Sequence, residues 1–111
     1  MSHGEQALEF VRRFAAGDVH GLKALLCEDV QFAGPYLQVA SRAAYLEALR
    51  SEPPEPCDVR VLSVTEDGDT VAVFYEYEKP AVTLTIAQLF RFRDQQICEI
   101  RLVFDGRETE R

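Results

Sequence analysis

The chain opens with two stretches whose apolar residues recur at the spacing of a helix. In residues 5–16 they fall in three pairs, at 7/8, 10/11 and 14/15, which places them on one helical face. Gly17 is typical of a residue that ends a helix, and Asp18 is placed to cap the next one through its carboxylate. The second helix is predicted from Val19 to about Cys27-Glu28.

A short extended region is predicted between the second and third helices. Asp29 begins a turn, and Val30 to Phe32 alternate apolar and polar residues as a strand does. Gly34-Pro35 ends this strand, because proline removes a hydrogen-bond donor from the backbone. Residues 36–40 predict a second short extended piece.

A third helix and a linker complete the first half of the chain. Ser41 is placed to cap a helix that runs from Arg42 to about Arg50. Residues 51–56 contain three prolines, which exclude a helix or a central strand. This segment is a linker too short to separate two domains, so residues 1–111 are expected to form a single domain.

From residue 58 onward, apolar and polar positions alternate with a period of two. Four strands are predicted, over residues 58–66, 70–78, 82–93 and 97–104. The turns between them centre on Gly68, on Pro80 and on residues 94–96. Consecutive strands with short turns predict an antiparallel meander, and helices followed by strands predict an α+β fold.

The last two strands predict how the sheet divides its faces. One face holds Val82, Leu84, Ile86, Gln88, Phe90 and Phe92 of the third strand, and Cys98, Ile100, Leu102 and Phe104 of the fourth. This face is expected to meet the helices. The opposite face, which includes Ile97, Glu99, Arg101 and Val103, is half apolar and predicts a homodimer through the outer surface of the sheet.

Composition narrows the classes of partner. The chain has 111 residues, of which 47% are hydrophobic and 28% charged, the balance of an ordinary globular protein. The net charge of −7 argues against nucleic acid or an anionic membrane as the main partner, since both need clustered basic residues. No apolar run approaches membrane length and no secretory signal is visible, so a cytoplasmic location is expected.

The three cysteines, Cys27, Cys57 and Cys98, are widely spaced and form no CxxC pair. They are expected to be buried, reduced thiols in a cytosolic protein. Neither a zinc site nor a disulfide framework is indicated, and the sequence signals no metal or cofactor.

The order of the elements resembles the nuclear transport factor 2-like superfamily, in its SnoaL-like branch, over nearly the whole chain. The resemblance implies a cone-shaped, cystatin-like α+β barrel, in which a curved antiparallel sheet wraps around the N-terminal helices and a pocket opens between them. It also implies homodimers through the convex face. Its features are Gly17-Asp18 between two helices, Asp29-Val30-x-Phe32 with Pro35, the helix around Tyr45-Leu46, and Phe90-x-Phe92-Arg93-Asp94 leading to Ile97-x-Glu99-Ile100 and Phe104-Asp105.

The resemblance also identifies positions where the superfamily's enzymes carry catalytic groups. Ketosteroid isomerase-like members place a tyrosine and a carboxylate where this chain has Phe10 and Gly34. Limonene-epoxide hydrolase-like members place an aspartate where it has Leu102. SnoaL-like cyclases use a histidine with an aspartate, and His3 and His20 lie outside the predicted pocket strands. The known catalytic sets are therefore absent.

Two carboxylates remain as candidates for acid–base chemistry. Glu76 is buried and has a raised pKa if its strand face is interior; the alternative is an ion pair with Arg91 or Arg101 across the strands. Asp105, at the end of the last strand, is predicted to lie at the mouth of the pocket, where its carboxylate could act as a general base. The alternative for Asp105 is a turn cap with Gly106.

Gln88 and four tyrosines are candidates for polar contacts with a ligand. Gln88 lies among apolar residues, and its amide either faces a ligand or bonds to a neighbouring tyrosine or the backbone. Tyr36 and Tyr45 are expected near the mouth of the cavity, whereas Tyr75 and Tyr77 line the interior or belong to the dimer surface. Plain packing is the alternative for each ring.

These observations give two function hypotheses. The first is a pocket protein that binds, or isomerises or cyclises, a small hydrophobic molecule. The second is a non-catalytic homodimerisation or protein-interaction module whose cavity is closed by its own side chains. The predicted ligand-binding residues are Phe10, Phe14, Phe32, Tyr36, Tyr45, Gln88, Phe90, Ile100, Leu102 and Phe104, and the predicted catalytic residues are Glu76 and Asp105.

Overall fold

Three helices and six strands make up the computed structural model of the chain, which describes residues 1–105 and residue 107. The helices are α1 (His3–Ala15), α2 (Val19–Leu22), which continues into a 3-10 turn (Lys23–Leu25), and α3 (Arg42–Ser51). The strands are β1 (Leu26–Ala33), β2 (Gln38–Val39), β3 (Asp58–Asp67), β4 (Thr70–Glu78), β5 (Thr83–Arg93) and β6 (Gln96–Val103).

The predicted end of the first helix and the predicted caps of the second and third helices are confirmed. Gly17 follows α1 with a φ of 75°, a conformation that glycine adopts without steric cost. The Asp18 carboxylate accepts a hydrogen bond from the Gly21 N–H at 2.9 Å, and the Ser41 hydroxyl accepts one from the Ala44 N–H at 3.1 Å. Each contact satisfies a free donor in the first turn of its helix.

The second helix is shorter than predicted, and β1 begins earlier. The prediction of helix to residue 28 and a turn at Asp29 is wrong, because the helical turns end at Leu25 and Asp29 lies inside β1. Leu26 pairs with Ile97 and is fully buried. Pairing with a strand about 70 residues away therefore overrides the local helical pattern, as tertiary context often does.

The strands form one curved, unclosed sheet in the order β2-β1-β6-β5-β4-β3. The predicted antiparallel meander from β3 to β6 is confirmed. β1 joins β6 in parallel, with Phe32 opposite Ile100, and β2 pairs antiparallel with β1. α1 packs on the inner face of β3 and β4, and α3 packs against β1.

A bulge in β6 changes which residues face the helices. The inner face of β5 is as predicted, but the outward assignment of Ile97 is wrong. Arg91 pairs with Glu99 whereas Phe92 pairs with Ile97, so Cys98 is the extra residue of a bulge. The bulge turns Ile97 towards the core, where it is fully buried.

The core lies where α1 crosses the sheet. Phe10 is 1% exposed, and its ring centroid lies 5.4 Å from that of Phe90 in an edge-to-face contact. Tyr45 stacks on the other side of Phe10 at 6.4 Å. These aromatic contacts close the end of the sheet at which β5 finishes, and leave the end near the β4–β5 turn less filled.

Candidate functional site

A cavity of about 380 Å³ lies between the inner face of the sheet, α3 and the linker that follows it. The residues around it are Phe14, Phe32, Gly34, Pro35, Tyr36, Leu37, Tyr45, Leu49, Glu52, Pro54, Glu55, Tyr75, Tyr77, Lys79, Leu84, Ile86, Gln88, Leu102 and Phe104. Most of these side chains are apolar or aromatic. The volume is within the range of small-molecule sites.

Seven of the ten residues predicted to bind a ligand line this cavity. They are Phe14, Phe32, Tyr36, Tyr45, Gln88, Leu102 and Phe104. Phe10, Phe90 and Ile100 do not, because they lie in the core at the end of the sheet that α1 closes. Contact between any of these residues and a ligand stays a prediction.

The sequence leaves open whether Tyr75 and Tyr77 face the interior or the outer surface of the sheet. Tyr75 and Tyr77 are buried on the inner face of β4 and line the cavity, not the outer surface. The signal that favours this placement is their shared alternation with Val71 and Val73, which are both fully buried. Apolar β-branched partners mark the inner face more reliably than the tyrosines do.

Gln88 forms a polar pair with Tyr75 in the wall of the cavity. The Tyr75 hydroxyl donates a hydrogen bond to Gln88 Oε1 at 2.7 Å, so the predicted alternative of a tyrosine partner is realised. Gln88 also lines the cavity, although it is mostly buried. A hydrogen bond of this kind offsets the cost of burying both polar groups.

Burial raises the pKa of three cavity tyrosines, Tyr45, Tyr75 and Tyr77, above the ordinary value of 10.0. Desolvation is the main cause, because a phenolate loses its hydration inside an apolar wall. The neutral hydroxyl is thus the form that the folded protein favours at ordinary pH. The wall offers neutral hydrogen-bonding groups and not anionic ones.

Alkaline pH should destabilise the protein through these tyrosines. Their folded-state pKa is raised, so their contribution is complete below pH 10.0 and is lost as the pH rises above that value. Each tyrosine that stays protonated only when folded lowers the unfolding free energy by up to about 1.4 kcal/mol per pH unit. Denaturant titrations at several alkaline pH values measure this slope.

Tyr45→Phe is the matched control for the alkaline effect. It removes one of the groups with a raised pKa and leaves the ring in place. The variant should therefore lose stability less steeply with rising pH than the original protein. Equal slopes for the two proteins would contradict the assignment of this effect to the buried tyrosines.

Glu76 lies on the outer face of β4, away from the cavity. The register of the sheet places it opposite Arg60 and Thr85, and its Oε1 atom lies 3.5 Å from Arg60 Nη1. The interior placement that acid–base chemistry required is therefore not met. The predicted partners of Glu76 are wrong as well, because Arg91 and Arg101 both pair with Glu99.

Asp105 follows β6 on the exposed surface. Its Oδ1 accepts hydrogen bonds from the Arg107 backbone N–H and Nε at 3.0 Å, and its Oδ2 accepts one from Nη2 at 2.8 Å. Gly106, the predicted turn partner, lies outside the described residues. Asp105 does not line the cavity, although its neighbour Phe104 does. A role for it as a base stays a prediction.

Charged residues occur at the rim of the cavity. Glu52, Glu55 and Lys79 line it and are exposed. The Tyr77 hydroxyl donates to the backbone oxygen of Glu55 at 3.3 Å, which ties the linker to the wall. Across residues 1–105 and 107, no cluster of three histidine, cysteine or acidic side chains is placed to hold a metal ion.

The same fold occurs in solved structures. An NTF2-like protein of unknown function from Cytophaga hutchinsonii matches with a TM-score of 0.80 and 18% identity, over 100% of this chain and 96% of that one. A putative ketosteroid isomerase from Kribbella flavida matches at 0.80 and 20%, over 93% and 77%. An LEH-like epoxide hydrolase from M. tuberculosis matches at 0.80 and 16%, over 96% and 84%.

These likenesses show that the chain has the fold of nuclear transport factor 2-like proteins, as the order of its elements predicted. A model of the SnoaL-like domain matches residues 7–100, so the chain belongs to the SnoaL-like domain family. No curated protein matches the chain. At these levels of identity the solved structures establish the fold, which hosts enzymes as well as binding proteins.

Proposed function

We propose that this protein binds a small hydrophobic molecule in the cavity between α3 and the sheet. The observation that carries the proposal is the Tyr75–Gln88 pair, which lies in the wall of a cavity of about 380 Å³ that aromatic side chains leave open. Ligand sites of this size combine a mostly apolar wall with a few fixed polar groups. A cavity filled by its own side chains would instead have favoured a purely structural module.

Binding without turnover fits the wall better than isomerisation or cyclisation. Gly34 and Leu102 lie in the wall at positions where enzymes of the superfamily carry carboxylates, and the buried Phe10 replaces a tyrosine. Among the described residues, the carboxylates around the cavity are the exposed Glu52 and Glu55 at the rim. A base must lie within hydrogen-bond reach of the proton that it removes.

Blocking the cavity should abolish ligand binding. Leu84 is buried in the wall, and Leu84→Trp would place a larger ring in the open space. A thermal-shift screen of steroid-like, terpenoid and polyketide compounds should give hits with the original protein. A hit at a hundred times its dissociation constant stabilises the fold by about 2.7 kcal/mol, and this gain should disappear in the variant.

Thr83→Trp is the matched control, because Thr83 is exposed on the same strand and does not line the cavity. This variant should respond to the hits as the original protein does. Stabilisation that survives Leu84→Trp, or a complete screen without hits, would count against binding in this cavity.

We also propose that the protein forms a homodimer through the outer face of the sheet. An apolar row crosses three strands there, because Phe74 lies opposite Ala87 and Ala87 lies opposite Val103. Phe74 is 47% exposed and Val103 is 62% exposed. Large apolar side chains aligned in this way are typical of a surface that a partner covers.

The charges on the outer face favour a second copy as that partner. The end near the β4–β5 turn carries the acidic Asp58, Glu76 and Glu78 with a single arginine, Arg60. The opposite end carries Arg91, Arg93 and Arg101, with the acidic Glu99 and with Asp29, which pairs with Arg93. A two-fold axis along the apolar row would set the acidic end of each copy over the basic end of the other.

A cytoplasmic location is consistent with the thiol chemistry. All three cysteines are free, as proteins of a reducing compartment keep them. Cys27 is buried as expected, whereas the expectation is wrong for Cys57 and Cys98, which are half-buried. Among the described residues, no helix combines the length and the hydropathy that a membrane crossing needs. We propose the cytoplasm on the basis of the free thiols.

A further inference from the structure

We infer that the cavity selects a neutral ligand whose buried end carries a carbonyl oxygen. The inference rests on the proposed binding function and narrows it to one class of molecule. It follows from the hydrogen-bond donors that Gln88 and Tyr45 present to the cavity without partners among the described residues.

The Tyr75–Gln88 bond occupies one of the two lone pairs of the amide oxygen and leaves both donors of the amide nitrogen. The Tyr75 hydroxyl gives its proton to Gln88 Oε1 at 2.7 Å. A primary amide has two further N–H donors on its nitrogen, and within residues 1–105 and 107 no acceptor meets Gln88 Nε2. The Tyr45 hydroxyl has no partner in the same part of the chain either.

These free donors open to the cavity. In the described part of the chain, Gln6 Oε1 is the single fully enclosed side-chain polar atom that lacks a partner. Gln88 Nε2 and the Tyr45 hydroxyl are partnerless but not fully enclosed, and both residues line the cavity. A donor that loses water on ligand binding without gaining an acceptor costs free energy.

A carbonyl oxygen fits these unpaired donors. It offers two lone pairs and brings no proton that would need an acceptor of its own. An alcohol brings such a proton, which would have to share Gln88 Oε1 with the Tyr75 hydroxyl. A hydrocarbon leaves the donors of Gln88 and Tyr45 without partners.

The wall also disfavours a charged ligand end. Lys79 is the cation among the described cavity residues, and it lies exposed at the rim with its Nζ 5.8 Å from the centre of the Tyr77 ring. A carboxylate buried beside Gln88 would lose its hydration without gaining a cation, which is costly. The neutral carbonyl is therefore the class that the deep part of the cavity fits.

Three matched probes test this inference: α-tetralone, its parent hydrocarbon tetralin, and tetralin carboxylate. Calorimetry gives their affinities, and infrared spectroscopy reports the carbonyl stretch of the bound ketone. The ketone should bind at least as tightly as tetralin, although water solvates it better. Its stretch should fall in frequency on binding, and the carboxylate should bind most weakly.

Tyr45→Phe separates the hydrogen bond from the shape of the cavity. The hydroxyl lacks a partner among the described residues, so its removal breaks no contact there. The variant should bind the ketone about three- to tenfold more weakly and tetralin unchanged. The carbonyl stretch of the bound ketone should move back to higher frequency.

Gln88→Leu should act in the same direction, and Gln6→Leu is its matched control. Gln6 is also a buried glutamine, but it donates to the Gln95 backbone oxygen away from the cavity. The control should leave the affinity ratio of ketone to hydrocarbon unchanged.

The possible outcomes distinguish this inference from the proposed function. If Tyr45→Phe and Gln88→Leu weaken both ligands equally and leave the carbonyl frequency unchanged, the carbonyl assignment is overturned while binding stands. A carboxylate that binds tightest overturns the requirement for neutrality. If none of the three probes binds although the thermal-shift screen gives hits, the inference is overturned while binding stands. If the screen gives no hits either, both the cavity-binding proposal and the inference fail.

Discussion

Phe10→Ala should lower the unfolding free energy by about 3–5 kcal/mol, as removal of a buried aromatic ring does. Phe10 is 1% exposed and contacts the rings of Phe90, Tyr45 and Phe14. Its loss leaves a void among three aromatic rings that the surrounding elements cannot fill. Urea or guanidinium titration followed by circular dichroism measures the change.

The matched control for this prediction is Phe104→Ala. Phe104 contacts Tyr36 with a centroid separation of 5.9 Å, but it is only partly buried at the edge of an open cavity. Its removal enlarges existing space and creates no new enclosed void, so the loss should stay below about 1.5 kcal/mol. Equal losses for the two variants would show that Phe10 is not at the centre of the core.

Phe74→Glu should convert the proposed dimer to monomers. Phe74 is the aromatic residue of the apolar row, at its β4 end, so the change would bury an unpaired carboxylate at the two-fold axis. Central aromatic residues of interfaces contribute about 2–4 kcal/mol, which corresponds to a change on the order of a hundredfold in the dissociation constant. Sedimentation velocity over a range of protein concentrations measures the shift.

Val61→Glu is the control for Phe74→Glu. Val61 is 41% exposed but lies opposite Tyr75, on the inner face of the edge strand β3. It introduces the same charge at a similarly exposed apolar position outside the proposed interface, and should leave the dimer intact. A monomeric original protein, or a dimer that persists in Phe74→Glu, would exclude the outer face as the interface.

Local sequence pattern predicts the elements of this fold best where alternation is unbroken. β4 has the predicted bounds, residues 70–78, and β5 differs by one residue, because each strand pairs along its whole length with neighbours in sequence. The caps at Asp18 and Ser41 are local devices too, and their residue types predict them.

The missed features depend on contacts between distant parts of the chain. The bulge at Cys98 leaves no trace in the alternation of β6, since an extra residue is defined only by its partner strand. The early start of β1 depends on parallel pairing with β6. Alternation along β4 places Glu76 on the same face as Ala72 and Phe74. It does not show whether this face is interior, because that depends on which face the helices cover.

Alternation along the strands also explains why many of the residues predicted to bind a ligand do line the cavity. Alternation places Gln88 and Leu102 on the inner face, and their register makes them direct neighbours. It does not reveal how far along the sheet a helix lies, and that position separates Phe90 and Ile100 in the core from the cavity wall.

The position of α1 divides the inner face of the sheet into two regions. Phe10, Phe90 and Ile97 hold the fold together at one end, whereas Leu84 and Leu102 border open space at the other. Substitutions in the region that borders the cavity change the shape of the cavity and remove few enclosed contacts. The proposed ligand preference is therefore separable from the stability of the fold, so two proteins of this shape need not share a ligand.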